Sequence, residues 1–157
     1  GDDMDRRQQK TRKAIFTAFI ELLSVKDFNQ ITVEQIIQRA DVGRATFYAH
    51  FETKEFLLKE LCRELFAHVF EAETGEETAH THIFDCDATE SVFLHLFRHL
   101  QKNDNGILEL LSSKNNELFL RYFKNNLREL TENQLHLFIC EKVPNFAIRK
   151  LKISKTK

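Results

Sequence analysis

ITVEQIIQRADVGRATFYAHFETKEF, residues 31–56, holds two short helical patterns joined by a three-residue break. The first opens at Thr32, where Thr-x-x-Gln (Thr32, Gln35) predicts a capping box, each side chain satisfying a backbone N–H that the helix start leaves free. Val33, Ile36, Ile37 and Ala40 follow at i, i+3, i+4 and i+7, the spacing of one buried helix face. Asp41-Val42-Gly43 interrupts that spacing with a residue that tolerates left-handed dihedrals, an apolar plug, and a glycine at the cap position of the next helix. On this reading Gly43 is needed for the turn, and a valine there is expected to impair folding as well as binding.

Two helices separated by so short a turn predict a helix-turn-helix, whose second helix enters the major groove of duplex DNA. Ala40-Asp41-Val42-Gly43-Arg44-Ala45-Thr46-Phe47-Tyr48-Ala49-His50-Phe51-Glu52-Thr53-Lys54-Glu55 resembles the signature of the tetracycline-repressor-like (TetR) family of one-component transcriptional regulators, A-G-V-S-[RK]-[GA]-T-[FL]-Y-x-H-F-x-[SN]-K-E. Asp41 stands where glycine is usual, Gly43 where a small cap residue such as serine is usual, and Ala49 lacks a side chain that often reaches DNA in the family. The resemblance covers roughly the first third to two-fifths of the chain.

The resemblance implies an all-α fold: a three-helix DNA-binding domain over residues 1–52, then a helical ligand-binding and dimerisation domain over residues 53–157. Arg44, in the first turn of the second helix, is placed for a bidentate contact to guanine, and Thr46 for a base edge, a thymine methyl or a phosphate. Ala45 permits close approach of the backbone. By resemblance Tyr48 and His50 donate to phosphates, as do Lys54 and Thr32 at the starts of their helices, aided by the helix dipoles. Glu34, on the outer side of the first helix, reads either as an acceptor from cytosine or as a solvent-facing acid. Phe47 and Phe51 read as core, because so short a helix must also pack against its neighbours.

Composition agrees with a helical protein: 157 residues with one Pro, four Gly, no Trp and 15 Phe. Net charge is −1 but unevenly placed. Residues 6–59 carry ten Lys/Arg against six Asp/Glu, residues 60–109 three against eleven, and residues 110–157 ten against four. A basic head attracts phosphate, and an acidic middle faces away from it. No uninterrupted apolar run of membrane-spanning length and no charged-then-apolar leader is visible, so the expected location is cytoplasmic with no membrane partner.

Outside the motif, periodicity predicts an opening helix over about 5–23 with Arg6, Arg7, Lys10, Arg12 and Lys13 at its start, and a connection over 25–30. Thr53 caps a long linking helix to about residue 71, followed by a loop over 71–85. A helix from about 87 or 89 to 101 carries Phe93, Leu94, Leu96, Phe97 and Leu100, stopped by Asn103-Asp104-Asn105-Gly106. A short helix over 107–111, a turn over 112–115 and a long helix over about 116–141 complete the pattern, ended by Pro144. The basic tail from Asn145 to Lys157 stands where the resemblance implies a further apolar helix.

Chemistry-bearing residues elsewhere are sparse. His95 and His99 stand at i, i+4 with His80, His82 and Cys86 just upstream, a spacing open to metal binding, but a mixture of packed and surface histidines is the favoured reading and no metal is expected. Cys62, Cys86 and Cys140 have no paired spacing and read as reduced thiols. No triad, phosphate-cradling loop or paired-carboxylate frame marks an enzyme, and no cofactor is expected. The expected partners are a double-stranded DNA operator of pseudo-palindromic sequence, an unidentified small-molecule effector that releases a repressor, and a second copy of the chain in a homodimer. The competing expectation is an interaction module that keeps this scaffold and acts through protein contacts.

Overall fold

The computed structural model describes residues 2–74, 84, 91–102, 107–112 and 117–142. The expected stop at 103–106, the turn over 113–115, the end at Pro144, the basic tail, and His80, His82 and Cys86 lie outside them. Among the described residues the chain is helical, with no strand: α1 (Asp2–Leu23), a 3-10 turn (Phe28–Gln30), α2 (Val33–Ala40), α3 (Arg44–His50), α4 (Lys54–Thr74), α5 (Val92–Lys102), α6 (Ile107–Ser112) and α7 (Glu117–Lys142). The 3-10 turn occupies what the sequence predicts as a plain connection. α4 runs past the predicted end near residue 71.

α1 packs on α2, and α4 packs on α5 and α7. In the N-terminal part, Phe16, Phe47 and Phe51 are fully buried, with Phe16 and Phe51 meeting edge to face at 5.3 Å between ring centres. Such a pair adds roughly 0.5–1.5 kcal/mol beyond the burial of its area. The core continues along α4 through Leu57, Leu61 and Leu65 into a second part, where Phe66 meets Phe123 of α7. α4 is therefore common to both ends of one apolar cluster.

The helix-turn-helix joint forms as its residues dictate. Thr32 Oγ1 accepts from the Gln35 backbone N–H at 3.2 Å, and Gln35 Oε1 accepts from the Thr32 backbone N–H at 3.1 Å, closing the capping box. At the far end of α2 the Asp41 N–H reaches Gln38 O at 3.4 Å and the Val42 N–H reaches Ile37 O at 3.1 Å, a helix end that requires one left-handed residue. Asp41 supplies it with φ 53° and ψ 48°. Gly43 does not, and here the sequence expectation is corrected. Its φ is −74° with ψ 156°, ordinary extended backbone, and a Cβ placed on it would meet Thr46 Oγ1 at a relaxed 3.7 Å. The conformational demand of the turn falls on Asp41, and a side chain at residue 43 is sterically acceptable.

α5 departs further from expectation. Ser91 caps it, its Oγ accepting from the Leu94 N–H at 3.4 Å and its carbonyl from the His95 N–H at 2.9 Å. The inward face is Val92, His95, Leu96 and His99, while Leu94 and Phe97 point to solvent. The outward side chains thus include two of the five apolar residues from which the sequence builds the helix.

Candidate nucleic-acid interface

α3 has seven residues and commits one of them, Phe47, to the core. Arg44, Ala45, Thr46, Tyr48 and Ala49 are exposed, forming an open outer face. Phe47 and Phe51 are core residues, as their positions predict.

The structure divides the predicted contact residues into groups. Thr32, Tyr48 and Lys54 line one cleft of about 360 Å³, together with Thr53, Glu52 and Glu55. Two carboxylates share this cleft, so an anion entering it meets mixed charge. Thr32 Oγ1 is occupied as an acceptor from Gln35, which leaves its hydroxyl proton to donate outward. Tyr48 is 46% exposed with its ring edge-to-face on Phe47. Lys54 is turned inward more than the sequence predicts. Its ammonium donates to Phe28 O at 3.1 Å and Ile31 O at 2.9 Å and lies 4.6 Å from the centre of the Phe28 ring. Two of its three donors thereby close the 3-10 turn against the start of α4.

Arg44, Ala45 and Thr46 form the second group, on the first turn of α3. Arg44 pairs with Glu34 of α2, so Glu34 is neither a bare solvent-facing acid nor free to accept from a base without exchange. Glu34 also accepts from Gln38 at 3.1 Å. His50 is half-buried at the far end of α3, with its pKa lowered first by desolvation and then by the Arg12 guanidinium. Its imidazole therefore holds a proton less readily than a free histidine does.

The basic start of α1 also divides. Arg6, Arg7, Lys10 and Lys13 are exposed. Arg12 turns to α4, 3.5 Å from Glu60 and 3.7 Å from Glu64, with its guanidinium 4.8 Å from the Phe51 ring centre. Cys62, on the same helix, is buried, and burial pushes its thiol up to about 12, an unreactive state. Cys140 is a free thiol on α7.

The family model "Bacterial regulatory proteins, tetR family" matches residues 15–61, the segment that builds this face. A solved structure, described as a TetR transcriptional regulator from Streptococcus agalactiae 2603V, superposes with a TM-score of 0.60 at 37% identity, covering 88% of this chain and 70% of that one. The chain belongs to the TetR family of transcriptional regulators. Among curated relatives, the HTH-type transcriptional regulator YxbF of Bacillus subtilis (strain 168) is 37% identical over 79 residues, 47% of this chain and 21% of that protein. The HTH-type dhaKLM operon transcriptional activator DhaS of Lactococcus lactis subsp. lactis (strain IL1403) is 39% identical over 57 residues, 36% of this chain and 30% of that protein. These matches span less than a third of either relative. Among the described residues no helix is long and apolar enough to cross a membrane.

One residue set escaped the sequence. His68 of α4 stands with its Nε2 3.1 Å from His99 Nε2, which is 3.0 Å from His95 Nε2. The i, i+4 spacing on α5 was visible, but its partner lies 31 positions from His99 on another helix. A usable signal was the alternation of histidine with Val92 and Leu96 at core spacing, which marks His95 and His99 as inward.

Proposed function

We propose that this TetR-family chain is a DNA-binding repressor that acts in the cytoplasm as a homodimer on a pseudo-palindromic operator, and that a small effector bound by its helical body releases it. In this reading residues 1–52 form the DNA-binding head and the rest is regulatory. The observation that carries it is the outer face of α3, where five exposed residues stand above a single buried phenylalanine. A helix seated this way fits the major groove without rearranging its support.

Arg44 reads a guanine and Thr46 a neighbouring base edge, while Ala45 lets the backbone approach. Tyr48, His50, Thr32 and Lys54 hold phosphates, the last with the one donor left by the Phe28 and Ile31 carbonyls. Arg44 must exchange Glu34 for the base. A surface ion pair is worth about 0–1 kcal/mol, whereas a bidentate guanine contact discriminates by about 1–3 kcal/mol, so the exchange favours DNA. Leu135, Leu137 and Phe138 of α7, each at least half exposed, supply apolar surface for the dimer.

Binding to duplexes taken from upstream of the coding region, followed by fluorescence anisotropy from low to high salt, tests the reading. Affinity is expected to fall linearly on a log–log plot against salt. Arg44→Ala should relax preference at one base pair, costing about 1–3 kcal/mol, with little change elsewhere in the site. Absence of salt-dependent binding would favour an interaction module instead. Because DhaS is described as an activator, the sign of regulation is read separately, from a promoter fusion with and without the protein.

A further inference from the structure

We propose that His68, His95 and His99 form a site for a divalent first-row transition-metal ion, and that this ion is the effector of the regulator; the second clause rests on the DNA-binding reading above. The three rings come from two helices and are largely or fully buried, His95 at 1% exposed and His68 and His99 at 9% each. Their ring centres lie 4.8 to 4.9 Å apart in all three pairings. One ligand nitrogen from each falls within 4.8 Å of the others.

A tetrahedral Zn2+ holding histidine nitrogens at about 2.0–2.1 Å keeps any two of them about 3.3–3.4 Å apart. Two of the three separations, His68–His99 at 3.1 Å and His99–His95 at 3.0 Å between Nε2 atoms, are within a few tenths of that figure, and all three donor atoms lie within 4.8 Å of one another, so a small closing of His68 towards His95 completes the set. Hydrogen bonding explains the convergence less well. A neutral imidazole nitrogen carries one proton or one lone pair, and His99 Nε2 faces two other nitrogens. One proton serves one well-directed bond, whereas an ion accepts three lone pairs at once.

Donor chemistry selects the class of ion. Among the described residues the group consists of imidazoles alone, which suit Zn2+, Co2+, Ni2+ or Cu2+ and not the oxygen-seeking Mg2+ or Ca2+. Three protein ligands leave a fourth position for water or a small anion. Phe84, 5% exposed, packs on His68 and His99 with ring centres 5.9 and 5.6 Å away, an apolar cover that limits competing water.

The site lies where an ion can act on the head. His68 is on α4, the helix that begins at Lys54 beneath the helix-turn-helix, about 21 Å away along the helix axis at 1.5 Å per residue. An ion bound here ties α4 to α5, so metal-bound and metal-free chains differ in how α4 is held. That is the differential contact a ligand needs to shift an equilibrium.

Titration of the full chain, freed of metal, with Co2+ alone should give the visible absorption of a tetrahedral complex at one ion per chain, bleached by Zn2+. His99→Gln should lower affinity by more than about 100-fold, beyond the ~10–100-fold of an outer-shell change. His136→Gln, at an exposed position of α7 beside Cys140, should leave it unaltered. Since a buried variant can misfold, circular dichroism of each variant accompanies the titration, and the wild-type spectrum decides by itself. No tetrahedral Co2+ signal from the wild-type chain, or one abolished by His136→Gln, overturns the site. Anisotropy on operator DNA with and without Zn2+ then tests the effector clause, with a change of about tenfold or more expected, in line with typical couplings. Equal DNA affinity in both conditions overturns that clause and leaves the site standing. Metal binding without any DNA binding overturns the regulator reading instead.

Discussion

The molecule gathers polar side chains in two very different settings. On the outer face of α3, Arg44, Thr46 and Tyr48 stand in water, and their one notable protein partner, Glu34, is itself exposed. Along α4 the polar groups turn inward: Glu64 is 2% exposed beside Arg12, and His68 meets His95 and His99. In the first setting water satisfies whatever a mutation leaves behind, so substitutions should alter binding and spare stability. In the second the groups lie largely out of water, and removing one member takes away part of what compensates another.

The largest effect should follow from Arg12→Ala. It takes the guanidinium away from the buried Glu64 carboxylate, while Glu60 keeps its pair with Arg63 at 2.7 Å, and it is expected to cost about 3 kcal/mol in urea unfolding. A loss below about 1 kcal/mol would show that the α1–α4 seam is as well hydrated as α3 and erase the contrast. Lys54→Ala falls between the two settings. Loss of two charge-assisted hydrogen bonds to Phe28 and Ile31 should lower stability by about 2 kcal/mol, while the salt slope of DNA binding flattens. If only the slope moved, Lys54 would belong wholly to the outer surface.

Smaller effects probe the joint between the helices. Asp41→Gly should stabilise by about 0.5 kcal/mol, since glycine adopts the left-handed conformation without strain but orders at an entropic cost. Gly43→Ser should add a few tenths of a kcal/mol through the side-chain cap that α3 lacks. The smallest concerns His50. Its lowered pKa means that, as pH falls below 6.5, the unfolded chain takes up the proton first, so folding weakens until the folded-state pKa is passed. The stability difference between wild type and His50→Gln, measured from pH 7.5 to pH 5, should shift against the wild type over that window.

Which of these features the sequence displays depends on how far apart the cooperating residues lie. The capping box at Thr32 and Gln35, the break at Asp41 and the inward Phe47 are all consequences of neighbours within one or two turns, and the sequence displays them directly. α5 was harder. Its phenylalanines and leucines ring the helix so widely that they alone do not choose a face, and the buried one is that of Val92, His95, Leu96 and His99. Arg12 and Lys54 have inward partners that the sequence does not display, for a related reason. A basic residue type suggests outward charge, but the Glu60 and Glu64 carboxylates in one case and the Phe28 and Ile31 carbonyls in the other draw the cation inward. Gly43 shows the opposite error, a residue type credited with a backbone role that its neighbour performs.

The clasp between the Lys54 ammonium and the carbonyls of Phe28 and Ile31 has a mechanical corollary. It rivets the first turn of α4 to the segment leading into α2, and α2 and α3 are joined by the buried Ile36, Ile37 and Phe47. A twist applied far along α4 therefore reaches the outer face of α3 as a swing of the entire N-terminal block, with the spacing inside that block preserved. In the dimer proposed above, control over DNA would be exerted through the angle at which two intact readers are presented, and the alphabet each one reads would stay the same.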